Sequence, residues 1–162
     1  MRSLLLLSTL LAALQPAFSQ NEAASNKIDS FVGSWSCVYV SAADPEKFAP
    51  RSKVWNVTQN GNVIATGIYP RDHSTGIQGK YRSISNIQIS HKSFTLTLVD
   101  YKMINPIRYG NKMTKQAVSD FERQVMSGQP VISNYEWVTS NSFSALSPYT
   151  KTLCERASEV GS

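Results

Sequence analysis

The sequence predicts a mainly β domain with one helix, built as an antiparallel barrel or as a strongly curved sheet packed on a helix over residues 112–127. Three observations predict this fold. Apolar and polar residues alternate along several short runs, as they do in half-buried strands. The pair Asn60-Gly61, a strong hairpin signal because both residues can take a positive φ, joins two of these runs. From residue 113 onward, apolar residues recur at every fourth position instead of every second, which is typical of one face of a helix.

The first half of the chain is predicted to form a strand followed by two hairpins. Residues 33–40 form the strand, and strand side chains alternate, so three of its residues share one face: Trp35, Cys37 and Tyr39. Residues 53–59 and 62–69 form the first hairpin. The second hairpin turns at 90–93. Ile84, Ile87 and Ile89 precede the turn, and Phe94, Leu96 and Leu98 follow it in strict alternation with Thr95 and Thr97, which indicates a half-buried face. Residues 44–50 and 70–79 are rich in turn formers and are predicted to be loops.

The second half of the chain is predicted to contain the helix and the last strands. Four apolar residues recur at every fourth position and form one stripe: Met113, Ala117, Phe121 and Val125. Asn111 or Thr114 can cap the start of this helix, and Gly128 with Pro130 ends it. Strand-like composition then returns in three stretches: 131–139, 142–146 and 149–154.

The N-terminal segment has the features of a cleavable secretory signal. Met1-Arg2-Ser3 is a basic start, residues 4–14 are largely apolar, and Ala17-Phe18-Ser19 places small residues around a larger one. The apolar run is too short for a membrane span, which needs about 20 residues. We therefore expect a protein exported to the periplasm or the exterior, divided as follows: signal peptide 1–19, flexible tail 20–27, a single domain 28–156 and a C-terminal tail 157–162.

The distribution of charge argues against a nucleic-acid partner, and the two cysteines indicate a disulfide. The formal net charge is +5, but Lys and Arg are scattered singly. We interpret them as a solvated surface, since nucleic-acid binding usually needs a clustered basic stripe. The compartment of an exported protein is oxidising, so Cys37 and Cys154 are expected to form a disulfide. This bond would join the first strand to the last.

Residue types that carry catalysis or metal binding are sparse. The two histidines are His73 and His91. Asp72-His73-Ser74 contains the residue types of a hydrolase triad, but a triad is assembled from distant segments, and turn chemistry explains these neighbours. Acids and histidines show no metal-ligand spacing, and no glycine-rich phosphate loop precedes a helix. We therefore predict no catalytic residue, no metal and no cofactor.

Aromatic residues occur in nearly every predicted strand. If the strands form a barrel, alternate residues point inward and line either a packed core or a ligand cavity. The sequence leaves both interpretations open. The candidate ligand-binding residues are five aromatics: Tyr39, Trp55, Tyr69, Phe94 and Trp137.

The stretch Phe31-Val32-Gly33-Ser34-Trp35 resembles the start of a lipocalin, a calycin-class barrel whose first strand opens with Gly-x-Trp after a short helical turn. Val99-Asp100-Tyr101 is similar to the Thr-Asp-Tyr element of that family, and Arg156 follows the last strand as the family's arginine does. The resemblance implies that Gly33, Trp35 and Arg156 close one end of the barrel, with the cation over the indole ring. It also implies that the open end takes a small apolar molecule. The alternative fold is an NTF2-like α+β cone whose sheet wraps around the 112–127 helix.

Two functions from different classes fit these features. The first is a non-enzymatic, lipocalin-like binding protein for a small hydrophobic or amphipathic ligand. The second is a protein-binding module, such as a periplasmic or secreted inhibitor or immunity protein. Neither function involves nucleic acid or a membrane span.

Overall fold

The computed structural model describes residues 28–43, 51–69 and 76–157. Within these residues the chain forms a closed eight-stranded antiparallel barrel with one additional short strand and one long helix, which confirms the predicted fold class. The elements in chain order are β1 (Gly33–Ser41), β2 (Arg51–Val57), β3 (Asn62–Tyr69), β4 (Ile77–Ile89), β5 (Ser93–Arg108), β6 (Asn111–Lys112), α1 (Lys115–Met126), β7 (Val131–Thr139), β8 (Ser142–Leu146) and β9 (Thr150–Arg156).

Several predicted segments lie outside the described residues. They are the signal peptide 1–19, the tail 20–27, the loop 44–50, the connection at 70–75 with His73, and residues 158–162 of the C-terminal tail. The expectations for these segments stay predictions. No helix in the described ranges is long and apolar enough to cross a membrane.

Most strands of the barrel pair with their neighbours along the chain, and the first strand pairs with the last. The sheet order is β4-β3-β2-β1-β9-β8-β7-β5-β6, and β4 also pairs with β5, which closes the ring. The ladder between β4 and β5 runs from Ile77 to Ile89, whereas β5 and β7 pair only from Ser93 to Leu96. Because the ring of strands is closed, the fold is the predicted barrel and not the alternative NTF2-like cone wrapped around the helix.

The hairpin around Asn60-Gly61 joins β2 to β3, as predicted. The Thr58 amide donates to the Asn62 carbonyl over 2.9 Å, and the Gly61 amide donates to the Thr58 carbonyl over 3.0 Å. The turn differs from the expected two-residue form because the loop spans 58–61, and in it only Gly61 has a positive φ, of 79°. The second predicted hairpin is also confirmed and connects β4 to β5.

The helix begins at Lys115, later than the predicted bound at 112. Thr114 sets this start, since its side-chain oxygen accepts a hydrogen bond from the Ala117 amide over 3.2 Å. Asn111-Lys112 form β6 instead, because they pair back onto the end of β5. The helix ends before Gly128, as predicted.

Inward-facing side chains form two clusters at opposite ends of the barrel. At the end where β1 begins, which we call the closed end, the cluster includes Phe31, Trp35, Trp55, Val57, Val63, Phe94 and Phe143. At the other end, which we call the helix end, the cluster includes Ile77, Tyr101, Met103 and Phe121. Helix α1 contributes Phe121 and packs against this second cluster.

The predicted disulfide between Cys37 and Cys154 is present. The two residues are direct partners in the β1–β9 ladder, and both are fully buried. The bond therefore joins the first strand to the last within the inner face of the wall, as expected from the sequence.

Candidate functional site

The closed end of the barrel is sealed by a contact between β1 and β9. The Arg156 guanidinium lies 4.4 Å from the centre of the Trp35 ring and donates to the Val32 carbonyl over 2.8 Å. The indole N–H of Trp35 donates to the Phe31 carbonyl over 2.7 Å. Gly33 has a φ of 127°, and a Cβ at this position would lie 2.7 Å from Arg156 Nη1, so a larger residue would displace the guanidinium. The interior is consequently closed to solvent at this end.

A cavity of about 380 Å³ lies inside the barrel, between the two clusters. Its apolar lining is supplied by strands on both sides and by the helix: Trp55, Phe94, Leu96, Leu98, Val125 and Val131. Four further groups border it: Gly128 and Gln129 after the helix, Ser147 and Tyr149 between β8 and β9, Thr150 at the start of β9, and Thr152 within β9. Because Tyr149 is 71% exposed, the cavity reaches the surface at this border.

Lys53 is a charged residue in the wall of this cavity. Its ammonium nitrogen lies 4.7 Å from the centres of both the Tyr39 and the Trp55 rings. Burial lowers the pKa of Lys53 from its ordinary 10.5 to about 8. Among the described residues no carboxylate forms an ion pair with it; the ion pairs there join Lys102 to Glu122 and Arg123 to Asp120.

Tyr39, which contacts Lys53, belongs to a group of neighbouring tyrosines on the side of the helix end. The Tyr81 ring stacks on Tyr101 with 5.7 Å between centres, and Tyr39 lies near enough to Tyr81 to affect its pKa. Burial, followed by the nearby tyrosines, raises the pKa of both Tyr81 and Tyr101, so these phenols stay protonated. A Cβ on Gly67 would lie 2.8 Å from the Tyr81 hydroxyl, which means that the missing side chain makes room for this ring.

Helix α1 completes the wall where β5 has no strand partner. The Met103 amide, on the free edge of β5, donates to Glu122 Oε1 over 2.9 Å. Glu122 Oε2 accepts from Lys102 Nζ over 3.1 Å. This hydrogen bond, followed by the charge of Glu122, raises the pKa of Lys102. Through Glu122, helix α1 thus provides a hydrogen-bond acceptor for a backbone amide that an unpaired strand edge would leave without one.

We expect Glu122→Ala to lower the free energy of unfolding by about 1–3 kcal/mol, because it leaves the partly buried Met103 amide without its acceptor. Asp120→Ala is the matched control on the same helix. Its ion pair with Arg123 is exposed, and its loss should cost less than about 1 kcal/mol. Urea denaturation of both variants checks this difference, and equal losses would contradict the proposed role of Glu122.

The structure separates the five aromatic residues predicted for ligand binding. Trp55 and Phe94 line the cavity, and Tyr39 contacts it through Lys53. Tyr69 lies at the helix end, with its ring 5.6 Å from that of Phe121. Trp137 lies at the closed end, 5.0 Å from Phe31, and does not border the cavity. A ligand role for these residues stays a prediction, and the cavity brings together only part of the set.

Sequence analysis missed Lys53, because the cations were interpreted as a solvated surface. That interpretation is wrong for this residue. Lys53 alternates in step with Trp55 and Val57, which are both buried, whereas Ser52, Val54 and Asn56 are exposed. The signal that could have identified Lys53 is a cation at an alternating position of the strand where the following residues, Trp55 and Val57, are apolar.

The described residues hold no cluster of three or more His, Cys, Asp or Glu side chains arranged to bind a metal ion. No protein-family model matches the chain, and no curated protein matches it.

Proposed function

We propose that this chain is an exported, non-enzymatic binding protein of lipocalin-like architecture that holds a small amphipathic ligand inside its barrel. The observation that carries the proposal is the cavity of about 380 Å³ with its largely apolar wall. Its volume lies within the range of ligand-binding cavities, about 300–1,000 Å³. A closed end sealed by Trp35 and Arg156 leaves the side near Tyr149 for entry.

Export to the periplasm or the exterior is part of this proposal. The signal-like sequence of residues 1–19 supports it, and so does the disulfide, since such bonds persist in oxidising compartments. The resemblance of Gly33, Trp35 and Arg156 to the lipocalin pattern is supported by the contact of the guanidinium with the indole ring.

The cavity is the better supported of the two functional interpretations. A protein-binding module would use the outer surface, where exposed apolar residues are distributed over many strands: Val38, Val54, Ile68, Ile104, Ile132, Leu146 and Leu153. Exposed apolar side chains of this kind are normal on soluble proteins. These residues favour no single docking face. An outer groove of about 660 Å³ is bordered by three charged residues, Lys92, Glu136 and Lys151, whereas the interior cavity has a largely apolar wall.

We expect Val131→Trp to weaken binding of the neutral fluorescent probe N-phenyl-1-naphthylamine by at least about tenfold, because the indole would fill the cavity that Val131 lines. Ile132→Trp is the matched control, since Ile132 is the next residue of β7 and is 59% exposed on the outer face. It should bind the probe as the wild type does.

Probe fluorescence titration measures both affinities, and circular dichroism confirms that both variants are folded. Absence of probe binding by the wild type would overturn the proposal. Unchanged affinity in folded Val131→Trp would place the probe elsewhere and would overturn it equally.

A further inference from the structure

The position of Lys53 is fixed by the register of three strands. In the ladders it lies between Cys37 of β1 and Gly67 of β3, and Cys37 is held by the disulfide. Trp55, two residues along the same strand, is buried on the same face. The pairing of the strands therefore places Lys53 on the inner face of the barrel wall.

The surroundings of Lys53 stabilise a cation without neutralising it. Its ammonium group faces the rings of Tyr39 and Trp55, which attract a cation through their π-faces. Among the described residues, the titratable groups on this side are tyrosines: Tyr39 from β1 faces the ammonium group, Tyr81 from β4 lies next to Tyr39, and Tyr149 borders the same cavity. No carboxylate of the described residues forms an ion pair with it. A partly buried cation that has no ion pair among the described residues carries a desolvation cost, and an anion supplied from outside would offset that cost.

The cavity has a polar and an apolar side. The strands β2 and β7 lie on opposite walls, since four steps separate them in either direction around the ring. Lys53 is on β2, and the buried hydroxyl residue Thr152 is on the nearby β9 and borders the same cavity. The opposite side carries four apolar residues, Leu96, Leu98, Val125 and Val131, and one buried hydroxyl residue of β7, Ser133. A molecule that satisfies both sides carries a charge at one end and hydrocarbon at the other.

We propose that Lys53 binds the carboxylate of an amphipathic monocarboxylate, such as a fatty acid, whose hydrocarbon part lies against the β5, β7 and α1 side of the cavity. This inference rests on the proposed function and adds the chemical class of the ligand. Thr152 offers a hydroxyl donor on the same side as the ammonium group.

The test compares two ligands of the same chain length, dodecanoate and 1-dodecanol, as competitors of the neutral probe. We expect Lys53→Met to weaken dodecanoate binding by at least about tenfold, the loss typical of one charged hydrogen bond, and to leave dodecanol binding within about twofold. Lys53→Arg should retain the preference for dodecanoate. Lys151→Met, which removes an exposed lysine from the outer face of β9, should change neither affinity.

A second measurement uses only the wild type and does not depend on how a variant folds. The carboxylate stays ionised above pH 7, whereas the free Lys53 ammonium, with its pKa of about 8, loses its proton as the pH rises. The bound anion favours the protonated lysine, so dodecanoate affinity should fall between pH 7 and pH 10, while dodecanol affinity stays level.

The outcomes separate this inference from the proposed function. If the wild type binds neither the probe nor dodecanol, the cavity function itself fails. If it binds both, but dodecanoate affinity is the same in Lys53→Met and at high pH, only the carboxylate site is overturned. Equal gains of affinity for both ligands in Lys53→Met would also overturn it, because the lysine would then be only a cost of burial.

Discussion

Replacement of both cysteines by alanine is expected to lower the free energy of unfolding by about 4–5 kcal/mol. Cys37 and Cys154 are separated by 117 residues, so the bond closes a loop that contains nearly the whole barrel. Without it, the unfolded chain gains the conformational entropy that the cross-link removes. The native ladder between β1 and β9 would remain, because the backbone pairing does not require the sulfur atoms.

Urea denaturation of the double variant measures this loss. The control is the wild type treated with a reducing agent, which should show a similar decrease because it loses the same cross-link without a change of sequence. A reduced wild type that keeps the midpoint of the oxidised protein would contradict the prediction.

Trp35→Ala is expected to cost about 3–5 kcal/mol of stability. The side chain is fully buried, and its ring packs 5.0 Å from that of Phe143 beneath the Arg156 guanidinium. The substitution leaves a cavity at the closed end, removes the cation–π contact and leaves the Phe31 carbonyl without its donor.

Two further variants test how much of this loss of stability comes from the hydrogen bond and how much is specific to Trp35. Trp35→Phe keeps an aromatic ring and loses the hydrogen bond to Phe31, so it should cost about 1–2 kcal/mol. Trp137→Ala truncates the neighbouring tryptophan, which is 37% exposed, and should cost less than Trp35→Ala. Thermal and urea denaturation of the three variants test this order, and an equal loss for both alanine variants would contradict a special role for Trp35.

Local patterns in the sequence were sufficient for most strands, the helix and the disulfide, but they missed β6 and the second half of β5, and they assigned residues 77–79 of β4 to a loop. The bounds of β7 and β8 agree with the predicted stretches, because alternation and flanking turn residues are properties of adjacent positions. The start of α1 was missed, since Asn111 and Thr114 are equally good caps in sequence and only the pairing of 111–112 with β5 distinguishes them.

The candidate site was harder to predict because it depends on the height of each residue along the barrel axis. Trp137 and Trp55 both contact inward-facing rings, but the pairing of β7 with β8 and β5 places Trp137 at the closed end. The approach of Tyr81 to Gly67 likewise depends on the register of β3 with β4. Such registers join residues that are distant in the chain, and a single sequence does not specify them.

The limited pairing of β5 with β7 has a consequence for access to the interior. The ladder there covers four residues of each strand, and α1 takes over where it ends. Undocking the helix would widen the gap beside Val131 without breaking a ladder of the eight-stranded ring. We therefore expect the width of this gap to depend on a local equilibrium of one helix, whose free energy is smaller than that of global unfolding.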